Sequence, residues 1–258
     1  MKAIILCGGQ GTRLKEETEF KPKPMVSVGG KPILWHLMKI YAHHGFNEFI
    51  LALGYKAEYI KDYFLNQKAY TSDFELDTQT HEMSFHLESR PEIDNFKITF
   101  VDTGVDTQIG ERILKCSKYI PEDDPYFMFT YGDGVTDLNI KEVVEFHKKQ
   151  GTVGTITGVH PRSKYGIVNI VEDNKISSFE EKPVLNDWIN GGFGVYKREF
   201  LNYLKPGEME HPALKRIAAE GQLSIYKHEG FWYAVDTNKE LEDLNKIWAT
   251  GDIPWKVW

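Results

Sequence analysis

Residues 1–25 have the sequence MKAIILCGGQGTRLKEETEFKPKPM. It contains a continuous apolar run from Ala3 to Leu6, which is typical of a strand buried on both faces of a parallel sheet. Gly8, Gly9 and Gly11 follow, and glycines allow a sharp turn and a close approach of the backbone to a ligand. The pattern predicts a strand and then a turn whose N–H groups can bind anionic oxygens.

Cationic side chains follow this turn. The guanidinium group of Arg13 is a fork of donors that matches phosphate geometry. Lys21 and Lys23 lie on a backbone that is stiffened by Pro22 and Pro24, because each proline fixes φ. The stretch therefore predicts a pocket for a polyphosphate.

A glycine-rich turn after a strand is, by itself, often only a tight connection. Two other phosphate motifs are excluded. A P-loop needs Lys followed by Ser or Thr after its last glycine, and this chain has no such pair there. A dinucleotide fingerprint needs a third glycine where Leu14 stands.

Apolar strands and amphipathic helices alternate after residue 25. We predict a helix over Pro32–Tyr41, a strand over Phe49–Leu53 and a helix over Ala57–Leu65. This βαβα order predicts an α/β fold with a doubly wound, mostly parallel sheet. Residues 70–90 are polar with short alternating stretches, and we expect a small antiparallel excursion that acts as a lid or an oligomer contact.

The second half of the chain continues the alternation, with no linker, repeat or low-complexity segment. A single domain, 1–258, is therefore predicted. The expected strands are Lys97–Val101, Tyr126–Thr130, Thr152–Val159, a hairpin over Tyr165–Phe179, a strand within Trp188–Tyr196, and Leu223–Lys227; the expected helices are Gly110–Tyr119, Ile140–Lys149, Pro212–Glu220 and Lys239–Trp248.

Composition limits the classes of function. The net charge of −7 argues against a general nucleic-acid or anionic-membrane surface, so an anion site must be local. The chain has two cysteines, Cys7 and Cys116, and no pattern of metal-binding cysteines or histidines. We expect a reduced, cytoplasmic setting, and no apolar segment approaches the length of a membrane span.

Two aspartates are candidate metal ligands. Asp133 lies between Gly132 and Gly134, directly after the most apolar strand, where open α/β sheets bind ligands; an aspartate in a plain turn is the alternative. Asp236 precedes a predicted helix, and from the residues alone it is most simply a helix N-cap.

The pattern Gly-Gly-x-Gly-Thr-Arg-Leu at residues 8–14, followed by Lys-Pro-Lys-Pro-Met at 21–25, resembles the signature of the sugar-1-phosphate nucleotidylyltransferases. The resemblance implies a Rossmann-like nucleotidyltransferase fold, with a nucleotide-binding part at about 1–135 and a sugar-phosphate-binding part at about 136–258. In that family an aspartate at the position of Asp133 and another at that of Asp236 hold Mg²⁺.

The chain is more specifically similar to the glucose-1-phosphate cytidylyltransferases. It shares Val-Asp-Thr-Gly at 101–104, Gly-x-Arg at 110–112, Thr-Tyr-Gly-Asp-Gly-Val at 130–135 and the closing Gly-x-x-Pro-Trp-Lys-x-Trp at 251–258. The resemblance implies CTP and glucose 1-phosphate as substrates, a homo-oligomer, and supply of CDP-linked precursors for bacterial surface polysaccharide such as O-antigen in lipopolysaccharide. The alternatives are UTP or dTTP as the nucleotide, another hexose phosphate as the sugar, or a non-catalytic sensor on the same fold.

The resemblance also assigns site residues. The expected catalytic residues are Arg13, Lys23 and Lys182. The expected nucleotide-binding residues are Leu6, Gly8, Gly9, Gly11, Thr12, Arg13, Lys23, Thr103, Gly104, Arg112 and Gly132. The expected sugar-phosphate contacts are Glu181, Lys182, Asn190 and Gly191. Arg112 is the candidate donor to the carbonyl of cytosine, with a helix-surface salt bridge as its alternative.

Overall fold

The structure is a computed structural model that describes residues 1–9, 11, 14–86 and 94–258. Its strands are β1 (Ala3–Cys7), β2 (Ser27–Val28), β3 (Lys31–Pro32), β4 (Glu48–Leu53), β5 (Phe74–Leu76), β6 (Met83–Phe85), β7 (Lys97–Asp102), β8 (Tyr126–Tyr131), β9 (Gly134–Thr136), β10 (Gly154–Val159), β11 (Ile167–Ile170), β12 (Ile176–Glu180), β13 (Ile189–Lys197), β14 (Leu223–Lys227) and β15 (Trp232–Ala234).

The α-helices of the described residues are α1 (Lys15–Thr18), α2 (Ile33–His43), α3 (Ala57–Leu65), α4 (Gln67–Thr71), α5 (Ile109–Ser117), α6 (Ile140–Gln150), α7 (His211–Ala219) and α8 (Asn238–Thr250). Short 3₁₀ helices occur at Lys23–Met25, Glu172–Asn174 and Arg198–Tyr203. The helices and strands predicted from hydrophobic periodicity are present with closely similar bounds.

Seven strands form the central sheet, in the order β14-β10-β13-β8-β1-β4-β7. Neighbouring strands are parallel except for β13, which is antiparallel to both β10 and β8. The predicted doubly wound, mostly parallel sheet is therefore confirmed. Chain order runs outward from β1 to β4 and β7 and then resumes at β8 on the other side of β1, so the topological switch point lies between β1 and β8.

Helices cover both faces of the sheet because alternate strand residues face opposite ways. Ala3, Ile5 and Cys7 pack in one buried cluster with α2, α6 and α8. Ile4 and Leu6 pack in the other cluster with α5 and α7. All five β1 residues are buried, as the continuous apolar run predicts.

The reversed direction of β13 has a simple origin. Strand β10 ends at the carboxyl edge of the parallel strands, and the β11–β12 hairpin occupies the chain between β10 and β13. The chain therefore re-enters the sheet from that same edge and must run the opposite way. As a result Asn190, near the start of β13, lies at the edge where the parallel strands end. The sequence predicted a strand here but not its direction.

Both predicted excursions are antiparallel hairpins. Strands β5 and β6 pair within the 70–90 region, of which residues 87–90 lie outside the described part of the chain. Strands β11 and β12 pair around Asp173 and Asn174, which both have a φ of 58°. Asparagine and aspartate tolerate this left-handed conformation better than most residues.

The tryptophan-rich tail packs inside its own chain. Trp255 is fully buried, and its indole N–H donates to Nδ1 of His36 at 3.4 Å. The Nε2 atom of His36 lies 2.8 Å from the carbonyl oxygen of Val28. Trp255 is thus part of the core. In the part of the chain that the structure describes, no helix is both long and apolar enough to cross a membrane.

Two buried histidines make stability depend on pH. Burial lowers the pKa of His36 and of His147 from 6.5 to about 4. Because the folded pKa lies below the unfolded one, each neutral ring contributes stability above about pH 6.5 that is lost as the pH falls towards 4. We expect a loss of about 2 kcal/mol for each histidine between pH 7.5 and pH 5.

Urea unfolding of the wild type and of His147→Gln at both pH values measures this loss. The difference in unfolding free energy between pH 7.5 and pH 5 should shrink by about 2 kcal/mol in the variant. His211→Gln, at an exposed helix start, is the control and should leave the difference unchanged. An unchanged difference in His147→Gln would contradict the assignment.

Candidate active site

A cavity of about 750 Å³ opens at the switch point between the carboxyl ends of β1 and β8. This is the place where open α/β sheets bind ligands. Predicted site residues that line it are Leu6, Gly8, Gly9, Gly11, Lys23, Arg112, Gly132, Asp133 and Asp236. Thr12 and Arg13 lie outside the described residues, so their predicted roles stay predictions.

The ammonium group of Lys23 lies between two carboxylates at the mouth of this site. Its Nζ atom is 2.6 Å from Oδ2 of Asp133 and 2.7 Å from Oδ1 of Asp236. These three residues are far apart in sequence, and the fold brings them to one point. Lys23 begins a 3₁₀ helix and is held in place by the prolines on either side.

A small two-stranded sheet brings the two aspartates together. Strands β9 and β15 pair antiparallel, with Gly134 opposite Ala234. Asp133 immediately precedes β9, and its carbonyl oxygen accepts a hydrogen bond at 2.9 Å from the N–H of Val235. Asp236 follows one residue later, so both carboxylates leave the backbone on the same side of the cavity.

The simplest interpretation of Asp236 from its residues, a helix N-cap, is wrong. The N-cap of α8 is Thr237, whose side chain accepts from the N–H of Glu240. The Glu240 carboxylate accepts in return from the N–H groups of Thr237 and Asp236, at 2.8 and 2.7 Å. This capping box satisfies the helix start, and the Asp236 carboxylate faces Lys23 instead.

Charge keeps Lys23 protonated. Burial lowers its pKa, but the charges and hydrogen bonds of Asp133 and Asp236 outweigh burial and raise the pKa above its ordinary value. The cavity therefore contains a cation beside the glycine turn. An ammonium group there is suited to anionic ligands.

The two carboxylates also fit a divalent cation. Their nearest oxygens converge on the point now taken by the ammonium group, and oxygen is the donor that Mg²⁺ prefers. Magnesium commonly takes one or two protein carboxylates and completes its octahedron with phosphate oxygens and waters. The described residues contain no group of three or more His, Cys, Asp or Glu that would hold a metal without such a ligand.

Arg112 lines the cavity, but its side chain donates hydrogen bonds to oxygen atoms of the protein. Its Nη1 donates to Leu53 O at 3.3 Å and to Thr103 Oγ1 at 2.5 Å. Its Nη2 donates to Gly8 O at 3.2 Å and to Val105 O at 2.9 Å. The side chain thus joins the ends of β1 and β4 to the loop after β7. The alternative that Arg112 forms a helix-surface salt bridge is wrong, because the residue is 4% exposed. Contact with the base stays a prediction.

Space around Arg112 explains one of the signature glycines. A Cβ atom at Gly8 would collide with the Arg112 guanidinium group, so only glycine fits there. Thr103 is buried, and its hydroxyl donates to Leu53 O at 2.5 Å. Gly104 has a φ of +89°, in the left-handed region that favours glycine. Thr103 and Gly104 support the loop, whereas the next five residues, 105–109, line the cavity.

A second cavity of about 210 Å³ adjoins the first and shares Tyr131 and Asp133 with it. Asn190 and Gly191 line this second cavity, and their predicted contact with the sugar phosphate stays a prediction. The amide oxygen of Asn190 accepts from the N–H of Gly192 at 3.0 Å, which leaves its NH₂ group as a donor.

Glu181 and Lys182 do not line either of these cavities. Their side chains are 63% and 56% exposed, and their charged atoms are 3.8 Å apart. They follow β12 at the end of the β11–β12 hairpin, and Lys182 has a φ of 50°. The structure therefore does not bring these two predicted contacts together with Lys23 and the aspartates.

Tyr131 and Glu210 form a buried pair that the sequence did not predict. Tyr131 ends β8 and separates the two cavities, and its hydroxyl donates to Oε1 of Glu210 at 2.5 Å. Burial and then the nearby Glu210 charge raise the pKa of Tyr131, so the phenol stays neutral. Glu210 is 7% exposed and precedes α7. A Cβ atom at Gly192 would lie 2.5 Å from the Tyr131 ring, so glycine is needed beside it.

The cysteines are unsuited to catalysis. Cys7 lines the larger cavity, but burial raises the pKa of its thiol well above its ordinary value. Burial likewise raises the pKa of Cys116 to about 12. Neither side chain forms a thiolate near neutral pH, so neither is a ready nucleophile.

Known proteins resemble this chain over its whole length. Residues 2–249 match the family model described as nucleotidyl transferase. Over 261 aligned residues, covering 100% of both chains, it is 46% identical to a protein of Bacillus subtilis (strain 168) named "Probable glucose-1-phosphate cytidylyltransferase". It is 41% identical, also over 100% of both chains, to the glucose-1-phosphate cytidylyltransferase of Salmonella typhi.

A solved structure shows the same fold at low sequence identity. UDP-glucose pyrophosphorylase in complex with UDP-glucose matches with a TM-score of 0.69 and 17% identity, covering 97% of this chain and 98% of that one. The family match spans almost the whole chain, and the glycine turn, Lys23 and Asp133 meet at the switch point of the sheet. This protein belongs to the nucleotidyltransferase family.

Proposed function

We propose that this protein transfers a cytidylyl group from CTP to α-D-glucose 1-phosphate, giving CDP-glucose and pyrophosphate. The observation that carries the reaction class is the convergence of Lys23, Asp133 and Asp236 beside the glycine turn, in a cavity at the switch point of the sheet. The choice of substrates is supported by 46% and 41% identity, over whole chains, to relatives that carry this activity in their names.

The chemistry needs little acid–base catalysis. The attacking oxygen belongs to a sugar phosphate that is already ionised near neutral pH. It forms a bond to the α-phosphorus of CTP while the bond from that phosphorus to the pyrophosphate oxygen breaks on the opposite side. Catalysis then consists mainly of positioning two anions and neutralising the charge that develops.

The residues divide this work by position. The turn with Gly8, Gly9 and Gly11 offers backbone N–H groups to the triphosphate, and Arg13 adds charge to the departing pyrophosphate. Lys23 donates to phosphate oxygens. Asp133 and Asp236 would hold Mg²⁺, which supplies positive charge to phosphate oxygens when bound.

The sugar phosphate belongs in the smaller cavity. Its wall includes Asn190, whose free NH₂ group is a donor to sugar hydroxyls, and Gly191, which leaves room for the ring. Lys182 binds the attacking phosphate, and the Glu181 carboxylate accepts a hydrogen bond from a sugar hydroxyl. Both lie at the end of a two-stranded hairpin, so substrate contact requires this hairpin end to approach the cavity.

The wider assignments follow from the same family. We infer that residues 1–258 act as one domain, that the protein is a cytoplasmic homo-oligomer, and that its product supplies CDP-linked sugars for surface polysaccharide such as O-antigen of lipopolysaccharide.

A matrix of nucleoside triphosphates and sugar 1-phosphates tests the substrate assignment. Pyrophosphate release with Mg²⁺ should be fastest for CTP with glucose 1-phosphate, and CDP-glucose should be the product by mass spectrometry. A preference for UTP or dTTP would overturn the cytidylyl assignment. No release with any pair, together with retained binding of CDP-glucose, would favour a sensor.

Asp133→Asn and Asp236→Asn test the proposed metal ligands. Each should lower kcat/KM by at least about a hundredfold, or about 3 kcal/mol, because one oxygen ligand loses its charge. Asp243→Asn is a matched control, since Asp243 pairs with Lys239 at 2.7 Å on the surface of α8. Full activity in both site variants would contradict the metal assignment.

Tyr131→Phe and Glu210→Ala test whether the buried pair positions the wall between the cavities. Each should lower kcat/KM for glucose 1-phosphate by about tenfold, because a hydrogen bond to a buried charge is lost. Glu210→Gln retains an acceptor for the tyrosine hydroxyl and should recover most of the activity. The double variant should be no worse than either single variant.

An exposed pair with the same chemistry is the control. Tyr203 donates to Glu220 at 2.6 Å on the surface, so Tyr203→Phe should leave both kinetic constants unchanged. Equal losses in Glu210→Gln and Glu210→Ala, with normal thermal unfolding, would contradict a positioning role for the tyrosine hydrogen bond.

A further inference from the structure

Lys23 occupies the point that a metal ion between the two aspartates would need. Its ammonium nitrogen is 2.6 Å from an Asp133 oxygen and 2.7 Å from an Asp236 oxygen. A Mg²⁺ ion binds carboxylate oxygens at about 2.0–2.1 Å, so it would occupy much the same space. The two cations also repel each other, and one must leave before the other binds to both carboxylates.

The ion pairs of Lys23 with Asp133 and Asp236 are strong enough to compete with a metal ion for the two carboxylates. The Lys23 side chain is 15% exposed, and those of Asp133 and Asp236 are 27% and 33% exposed. Partly desolvated, charge-assisted hydrogen bonds are stronger than pairs on the open surface. Lys23 also has a short tether, because it starts a 3₁₀ helix between two prolines. Its ammonium group can therefore move only by as much as its own flexible side chain allows.

The cavity offers one evident destination for a displaced ammonium group. The same 750 Å³ space is lined by Gly8, Gly9 and Gly11, which predict an anion site. A nucleoside triphosphate there would give Lys23 new oxygens to bind, and Lys23 would then no longer compete for either aspartate. Without such an anion, displacement would leave a lysine charge unpaired in a partly buried place.

We infer that Lys23 is the resident counter-ion of Asp133 and Asp236, and that it keeps divalent cations off these carboxylates until a triphosphate takes over its ammonium group. The inference rests on the metal site of the proposed function and adds an order of binding to it. Lys23 has two successive partners, first the aspartates and then the nucleotide. This makes metal binding dependent on the nucleotide.

Binding of Mn²⁺ to the nucleotide-free protein, measured by electron paramagnetic resonance, tests the inference without reference to turnover. The wild type should bind Mn²⁺ weakly. Lys23→Met should bind it at least about tenfold more tightly, because the competing ammonium group is gone. Lys23→Arg keeps the charge and should bind as weakly as the wild type.

Two further variants show where in the protein the more tightly bound Mn²⁺ lies. Lys23→Met combined with Asp133→Asn should lose the gain, which assigns the bound ion to the vacated position. Lys21→Met is the matched control, because Lys21 pairs with Glu17 at 2.8 Å and does not line the site cavity. It should bind Mn²⁺ as the wild type does. If Lys23→Met does not fold, Lys23→Gln provides a neutral side chain that still donates to the carboxylates.

The outcomes separate this inference from the proposed function. Equal Mn²⁺ affinity in folded Lys23→Met and wild type would overturn the inference, even if the wild type makes CDP-glucose. A gain that persists in the double variant would also overturn it, because the ion would lie elsewhere. A gain that requires Asp133, in a protein with no transferase activity, would support the counter-ion and refute the function.

Discussion

The structure depends on the position of β1, which is paired on both sides and buried on both faces. Its parallel hydrogen bonding to β4 and β8 makes it the centre from which the chain winds in two directions. Because the chain leads from β1 to β4 on one side and from β8 to β10 on the other side, a cleft opens where β1 and β8 end. The glycine turn after Cys7 therefore lies in that cleft, and every other site residue is placed relative to it.

Much of this fold could be predicted from the sequence. The continuous apolar run Ala3–Leu6 identifies a strand that is buried on both faces of the sheet. The alternation of strands and helices identifies the sheet as parallel. The direction of β13 could not be predicted, because periodicity fixes which residues face the core but not which way a strand runs. The pairing of β9 with β15 was also missed, since each has only three residues and follows another element closely.

The candidate site was predictable where its residues follow strand ends or a known motif. Asp133 follows the end of a strand, and Gly8, Gly9 and Gly11 belong to a known motif. The contact between Lys23 and the aspartates was not foreseen, because it joins residues 110 and 213 positions apart. No sequence motif around Glu210 indicated a role in the site. Glu210 lies 79 positions after Tyr131. The two side chains meet only because α7 packs on the same face of the sheet as α5.

Arg112 shows why residue type alone does not give a role. It is a buried cation whose Nη donors bind three backbone carbonyls and one hydroxyl, and burial lowers its pKa. The dipoles of these carbonyl and hydroxyl groups thus take the place of the usual carboxylate partner. One guanidinium group can donate hydrogen bonds to several such groups at once. With these donors engaged, Arg112 fixes the loop that begins at Val105, and residues 105–109 of that loop line the cavity. The arginine therefore shapes the wall of the cavity through the backbone that it holds, and its own contact with the base stays a prediction.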